Sequence, residues 1–72
     1  MPFAQVDVRG RLALNVKLLR GKMGISQEEL ADRVGVHRTY VSDIERIKRN
    51  PSITVVEQFA KALGVRIGEL VD

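Results

Sequence analysis

An all-α fold, a compact bundle of five short helices, is what this sequence predicts, and three observations predict it. Apolar residues recur at spacings of three and four along most of the chain, which is the period of a helix with one buried face. Serine, threonine and glycine stand where helices need to start and stop. No stretch alternates apolar and polar residues as a half-buried strand would. The chain has 72 residues, which predicts one domain over 1–72, near the lower limit for a core that folds without staples.

The elements follow in order. Residues 1–6, within MPFAQVDV, read as an arm. From about Asp7 the pattern turns helical: Leu12, Val16, Leu19 and Met23 fall on one face, and Gly21 and Gly24 end the run. Ser26 followed by Glu29 is a capping-box signature, in which the serine accepts a free backbone N–H and the glutamate reaches back. It starts a helix over Gln27 to Val34, with Leu30, Ala31 and Val34 inward, and Gly35 stops it. A third helix runs from about Arg38 to Arg46, with His37 near its cap and Val41 and Ile44 inward. IKRNPS is a loop, because Pro51 disfavours helix at Asn50. Thr54 and Glu57 form a second capping-box pattern, ahead of a helix that buries Val56, Phe59, Ala60 and Leu63 and ends at Gly64. A short turn over Ile67 to Val71 closes the chain.

Composition removes several function classes. The chain has no cysteine and a single histidine, His37, so a disulfide framework is excluded and a zinc site would need carboxylates almost alone. No cofactor or metal is expected. No apolar run approaches the ~20 residues of a membrane span, and no basic-then-apolar leader stands at the N-terminus, so a cytoplasmic location is the expectation. His37, Ser42 and Asp43 contain the letters of a catalytic triad. Ser42 and Asp43 are sequence neighbours on a helix, however, and project about 100° apart. No enzyme is expected.

The formal net charge of +3 is mild, but its placement is not. Arg38, Arg46, Lys48 and Arg49 cluster in one stretch, relieved there by Asp43 and Glu45. A local basic patch is the electrostatic footprint of a nucleic-acid binder, although a solvated charged face gives the same composition. The stretch also contains two short helices that meet at Gly35 with almost no connection, the spacing of a helix-turn-helix over 27–46. That unit needs a residue tolerant of positive φ in its turn, which Gly35 supplies. It needs a small residue where the helices cross, which Ala31 supplies. It needs an apolar wedge, which Leu30, Val34, Val36, Val41 and Ile44 supply.

With those residues in place, SQEELADRVGVHRTYVSDIERIKRNPS closely resembles the phage-repressor-like helix-turn-helix family, and the likeness continues through VVEQFAKALGV. HRTYVSDIER followed by KRNPS looks particularly like the small controller proteins of restriction–modification systems. The resemblance implies a lambda-repressor-like five-helix domain that binds DNA as a dimer and regulates transcription. It also implies an ion pair inside the fold between Arg20 and Glu45. The sequence departs from the family's pattern at Ile47, where glycine usually follows the recognition helix, and at Arg66, where a serine-like cap usually opens the last helix.

A helix laid in the major groove needs side chains that reach base edges, flanked by others that hold phosphates. By position the readers are His37, Arg38, Thr39, Ser42 and Asp43. Arg38 suits bidentate contact with guanine, and Thr39 suits a hydroxyl contact or a thymine methyl. Asp43 either accepts from cytosine N4 or orients Arg38 or Arg46. Tyr40, on the helix flank, either packs its ring or reaches a phosphate with its hydroxyl. His37 suits a cap or a phosphate contact. Gln27 opens the second helix, whose free N–H groups and positive dipole end suit a phosphate. Arg46, Lys48 and Arg49, with Asn50 in the same loop, complete the expected DNA-binding set. Val65, Ile67, Leu70 and Val71 exceed what a small core needs and are the expected dimer seam. The partner is then a palindromic double-stranded operator. The rival readings are an antitoxin-type interaction module with secondary DNA binding, and a nonspecific architectural binder.

Overall fold

The computed structural model describes residues 7–72, and the arm expected over residues 1–6 lies outside them. The described residues form five helices: α1 Val8–Met23, α2 Gln27–Val34, α3 Arg38–Glu45, α4 Ile53–Leu63 and α5 Ile67–Val71. There is no strand among them. α2 and α3 pack on each other, α1 packs on α3 and α5, and α4 packs on α2 and α5.

Helix starts are set by side chains. The Asp7 carboxylate accepts from the Arg9 N–H at 2.8 Å and opens α1. Ser26 Oγ accepts from the Glu29 N–H at 3.0 Å and opens α2. The Glu29 carboxylate, expected to reach back to the cap, accepts from Arg33 Nε at 3.0 Å instead, so only the serine half of the box forms. The cap of α4 is Ser52, two residues before the expected Thr54, because Ser52 Oγ accepts from the Val55 N–H at 3.3 Å. Ser52 directly follows Pro51, so the helix can start as soon as the proline's constraint on its predecessor ends. At α5 the Glu69 carboxylate accepts from the Arg66 N–H at 2.8 Å, so half of a capping box forms even with arginine at the cap.

The core is contributed by every helix: Leu12 and Val16 from α1, Leu30, Ala31 and Val34 from α2, Val41 and Ile44 from α3, Val56, Phe59, Ala60 and Leu63 from α4, and Leu70 from α5. Two expectations for α1 need correction. Met23 is 39% exposed, because α1 runs one turn past the side chains it packs against. Gly21 lies within the last helical turn, and Gly24 alone ends the helix, with φ 68°.

The expected seam also changes. Leu70 is fully buried and belongs to the core, so it has no surface to offer a partner. Val65, Ile67 and Val71 are half-buried against the same core. Leu70 thus closes the chain's own bundle, and the remaining three keep part of their surface. Asn15 completes this closure by donating its Nδ2 to the Leu70 carbonyl at 2.8 Å, which satisfies an orphan acceptor at the end of α5. No local sequence pattern announces that contact, which spans 55 positions.

Candidate nucleic-acid interface

The site is built on the α2–α3 corner. Gly35 takes φ 89°, and the N–H groups of Gly35 and Val36 both reach the Ala31 carbonyl, at 2.8 and 3.0 Å. The chain thus turns within Gly35–His37, and Ala31, 2% exposed, lets α3 cross close to α2. Val41 and Ile44 face the core. At 100° per residue the opposite arc of α3 carries Arg38, Thr39, Ser42, Asp43 and Arg46. Arg38, Thr39 and Arg46 are exposed, and Ser42 and Asp43 are half-buried.

His37 caps α3 through its ring. Nδ1 accepts from the Thr39 N–H at 3.1 Å, which makes Nε2 the protonated nitrogen of the neutral imidazole and leaves it as a donor at the helix start. Both halves of the sequence expectation for His37 are therefore compatible.

α3 is fixed from behind by a charged network. Arg20 donates through Nε and Nη2 to the two carboxylate oxygens of Glu45, at 2.7 and 3.1 Å. Its Nη1 donates to the Ile25 carbonyl at 3.0 Å. Gln27 adds a third donor to Glu45, with Nε2 at 3.0 Å from Oε1. The Glu45 side chain is 4% exposed. The bonds that Arg20 donates to Glu45 hold its guanidinium above its ordinary pKa. This network ties α1 and α2 to the last turn of α3 and holds Gln27 at the N-terminus of α2.

On the solvent side the structure adds Arg49, from the loop, to Tyr40 and Asp43, which lie three apart on α3. The Arg49 guanidinium stacks over the Tyr40 ring, 4.3 Å from its centroid. The same guanidinium lies 3.4 Å from Asp43 Oδ2. The Tyr40 ring in turn leans on Phe59, with centroids 6.3 Å apart. Asp43 pairs with neither Arg38 nor Arg46. Arg38, Arg46 and Lys48 have no acidic partner among the described residues.

α3 ends in a way the sequence does not suggest. Ile47 takes φ 59°, in the region that favours glycine. The Ile47 N–H reaches the Ile44 carbonyl at 3.1 Å and the Lys48 N–H reaches the Asp43 carbonyl at 2.8 Å. That is the Schellman pattern that Gly24 and Ile25 make at the end of α1. The helix neither runs on nor ends in a different loop. It adopts the left-handed cap with a β-branched residue in it.

A family model described as helix-turn-helix matches residues 16–70. This chain belongs to the helix-turn-helix family of DNA-binding transcription regulators. Control protein C.BamHI of Bacillus amyloliquefaciens is 45% identical, with 81% of this chain and 83% of that protein covered. Control protein C.SmaI of Serratia marcescens is 38% identical, over 97% of this chain and 87% of the relative. A hypothetical transcription factor of Neisseria meningitidis is 47% identical over 89% of this chain, which spans 60% of that protein's length. Among solved structures, a Neisseria transcription factor superposes with a TM-score of 0.89 at 45% identity, covering 92% of this chain and 76% of the other. The restriction–modification controller protein C.AhdI of Aeromonas hydrophila gives 0.82 at 35% identity, covering 86% and 94%. Membership in this family places the chain among DNA-binding regulators and not among enzymes. Among the described residues no helix is long and apolar enough to cross a membrane.

Proposed function

We propose that this regulator binds double-stranded DNA in a sequence-specific manner as a homodimer, with α3 in the major groove of each half of an inverted repeat, and that it controls a restriction–modification system. One observation carries the reading: a single arc of α3 presents Arg38, Thr39, Ser42, Asp43 and Arg46, with Arg38 and Arg46 unpaired among the described residues. Arg38 and Thr39 read bases. His37 and Gln27, each at a helix N-terminus, hold phosphates, as do Arg46, Lys48 and Asn50. The likeness to control proteins supports the narrower assignment.

An eight-residue helix reaches few base pairs, and two-fold symmetry doubles its contacts. The seam belongs to a mostly apolar hollow of about 240 Å³ lined by Val8, Leu12, Pro51, Ile53, Val56 and Val71, together with Arg9 and Asn50. Ile53 is 67% exposed there and Val8 52%, and Val71 brings the C-terminal turn to the same apolar surface. Recognition helices about 34–36 Å apart then enter successive major grooves, with half-sites centred about 10 base pairs apart.

Selection of bound duplexes from a random pool tests this directly. An enriched inverted repeat with that spacing is expected. Arg38→Ala should lose about 5- to 150-fold on the selected site and little on random DNA. Ile53→Asp should give a monomer in sedimentation that binds a full site no better than a half-site. Enrichment of no sequence, or equal loss on all DNA in Arg38→Ala, would sink the specific reading.

A further inference from the structure

We infer that Asp43, held by Arg49 and Tyr40, selects a cytosine in the major groove; the inference rests on the DNA-binding reading of α3. A carboxylate on a DNA-facing helix is at first sight a liability, since phosphates repel it. Here its charge is opposed by a cation from the following loop. Arg49 lies 3.4 Å from Asp43 Oδ2, and the Tyr40 ring supports the guanidinium from below at 4.3 Å. The ring itself is braced on Phe59 in the core. Three elements, α3, the loop after it and α4, thus fix one carboxylate on the outward arc of α3.

Among the described residues Oδ1 is unclaimed, as the one hydrogen bond there to the Asp43 side chain is to Oδ2. A carboxylate oxygen only accepts. Among base edges of the major groove, only cytosine N4 and adenine N6 donate. Adenine sets its N7 acceptor beside N6, on the same base, where a second lone pair repels the carboxylate. Guanine O6 and N7 and thymine O4 repel it outright. Cytosine is the base that remains. Arg49 is the positioning residue: it keeps Asp43 in one orientation and offsets its repulsion from the backbone phosphates.

The test uses the full chain and a pool of random duplexes, followed by four duplexes that differ only at the base pair assigned to Asp43. Wild-type protein should enrich a cytosine there and lose about tenfold when it is replaced. Asp43→Asn carries an amide that pairs with adenine N6 and N7, so its preference should move from cytosine to adenine. Arg49→Ala should flatten the preference at that position alone, and Arg49→Lys, which keeps the charge, should restore part of it. Preference at the base read by Arg38 should not change in any of these variants. A purely structural role for Arg49 would instead weaken all positions together and lower the melting temperature in step. Unchanged preference in Asp43→Asn, or a wild-type site with no cytosine whose replacement matters, overturns the inference while leaving the DNA-binding reading intact. Absence of DNA binding by the wild-type chain overturns both.

Discussion

Asp43 and Glu45 stand two positions apart on α3, and each pairs with an arginine from another element, yet the two pairs do different work. Glu45 faces inward, is 4% exposed, and takes three hydrogen bonds, two from Arg20 and one from Gln27. Asp43 faces the solvent side, is 23% exposed, and has one contact of 3.4 Å with an arginine that is itself 45% exposed. Both are carboxylates paired with an arginine; depth separates them. Out of water, a carboxylate must be fully matched or it destabilises the fold. In water, the same pair is screened, its stability contribution is small, and the carboxylate is free to meet a ligand. Charge alone therefore does not mark a DNA contact in this protein.

The inner pair should give the largest effect. Glu45→Ala leaves the Arg20 guanidinium, 19% exposed, facing a void, and should cost roughly 3–5 kcal/mol in urea unfolding. That rivals the whole stability of a domain this size, about 4–11 kcal/mol, so the variant should be partly unfolded at room temperature. Replacing both partners with apolar residues should recover much of the loss. The Arg20 pKa is raised, so its contribution is complete below the ordinary arginine value and is lost only as pH rises through the raised one. A wild-type-like midpoint for Glu45→Ala would show that depth is not what distinguishes the two pairs.

The end of the helix that carries both carboxylates supplies a smaller effect of opposite sign. Ile47 at φ 59° costs about 1–2 kcal/mol relative to a relaxed backbone. Glycine relieves this but adds unfolded-chain entropy worth about 0.4–1 kcal/mol. Ile47→Gly should therefore stabilise by up to about 1.6 kcal/mol, the net of those two. Circular dichroism melts would detect it. If Ile47→Gly destabilised, the isoleucine side chain, 50% exposed, would be contributing more through packing than its backbone loses.

The sequence made the helices and the turn legible, because both are governed by near-neighbour rules. Ser26 with Glu29, Gly35 after Val34, and apolar residues three and four apart are local signals with local causes. Ile47 was visible as an anomaly, and its outcome was not. Whether a strained cap forms or the helix runs on depends on what the two extra hydrogen bonds and the packing of α3 are worth, which no local rule supplies. The Thr54 start failed for a narrower reason: two adjacent caps competed, and Ser52 comes first. Leu70 was misread as part of the seam because apolar content says how much surface is hydrophobic and not whether the chain covers it itself. Leu70 is covered and Ile53 is not. Of the site, the outward arc of α3 was legible from its period. The partner of Asp43 was not, because Arg49 reaches it through the loop that Ile47 redirects and by way of the Tyr40 ring.

The outer pair should give the smallest stability effect, and its smallness is the sharpest form of the comparison. An exposed ion pair contributes about 0.2–1 kcal/mol. A cation over an aromatic ring at an exposed site adds about 0.5–1 kcal/mol, and Arg49 makes both contacts with one guanidinium. A double-mutant cycle of Asp43→Ala with Arg49→Ala isolates the first from the second, since the stack on Tyr40 is lost in both Arg49 backgrounds and cancels. The coupling should be below about 1 kcal/mol and should shrink further as salt is raised, because charges this exposed are screened. The matching cycle of Arg20→Met with Glu45→Leu should give a coupling of several kcal/mol that salt barely changes, as screening ions do not reach a side chain 4% exposed. Equal couplings, or an outer pair insensitive to salt, would mean that Asp43 and Arg49 serve the fold as Glu45 and Arg20 do, and α3 would then have no carboxylate set aside for its ligand.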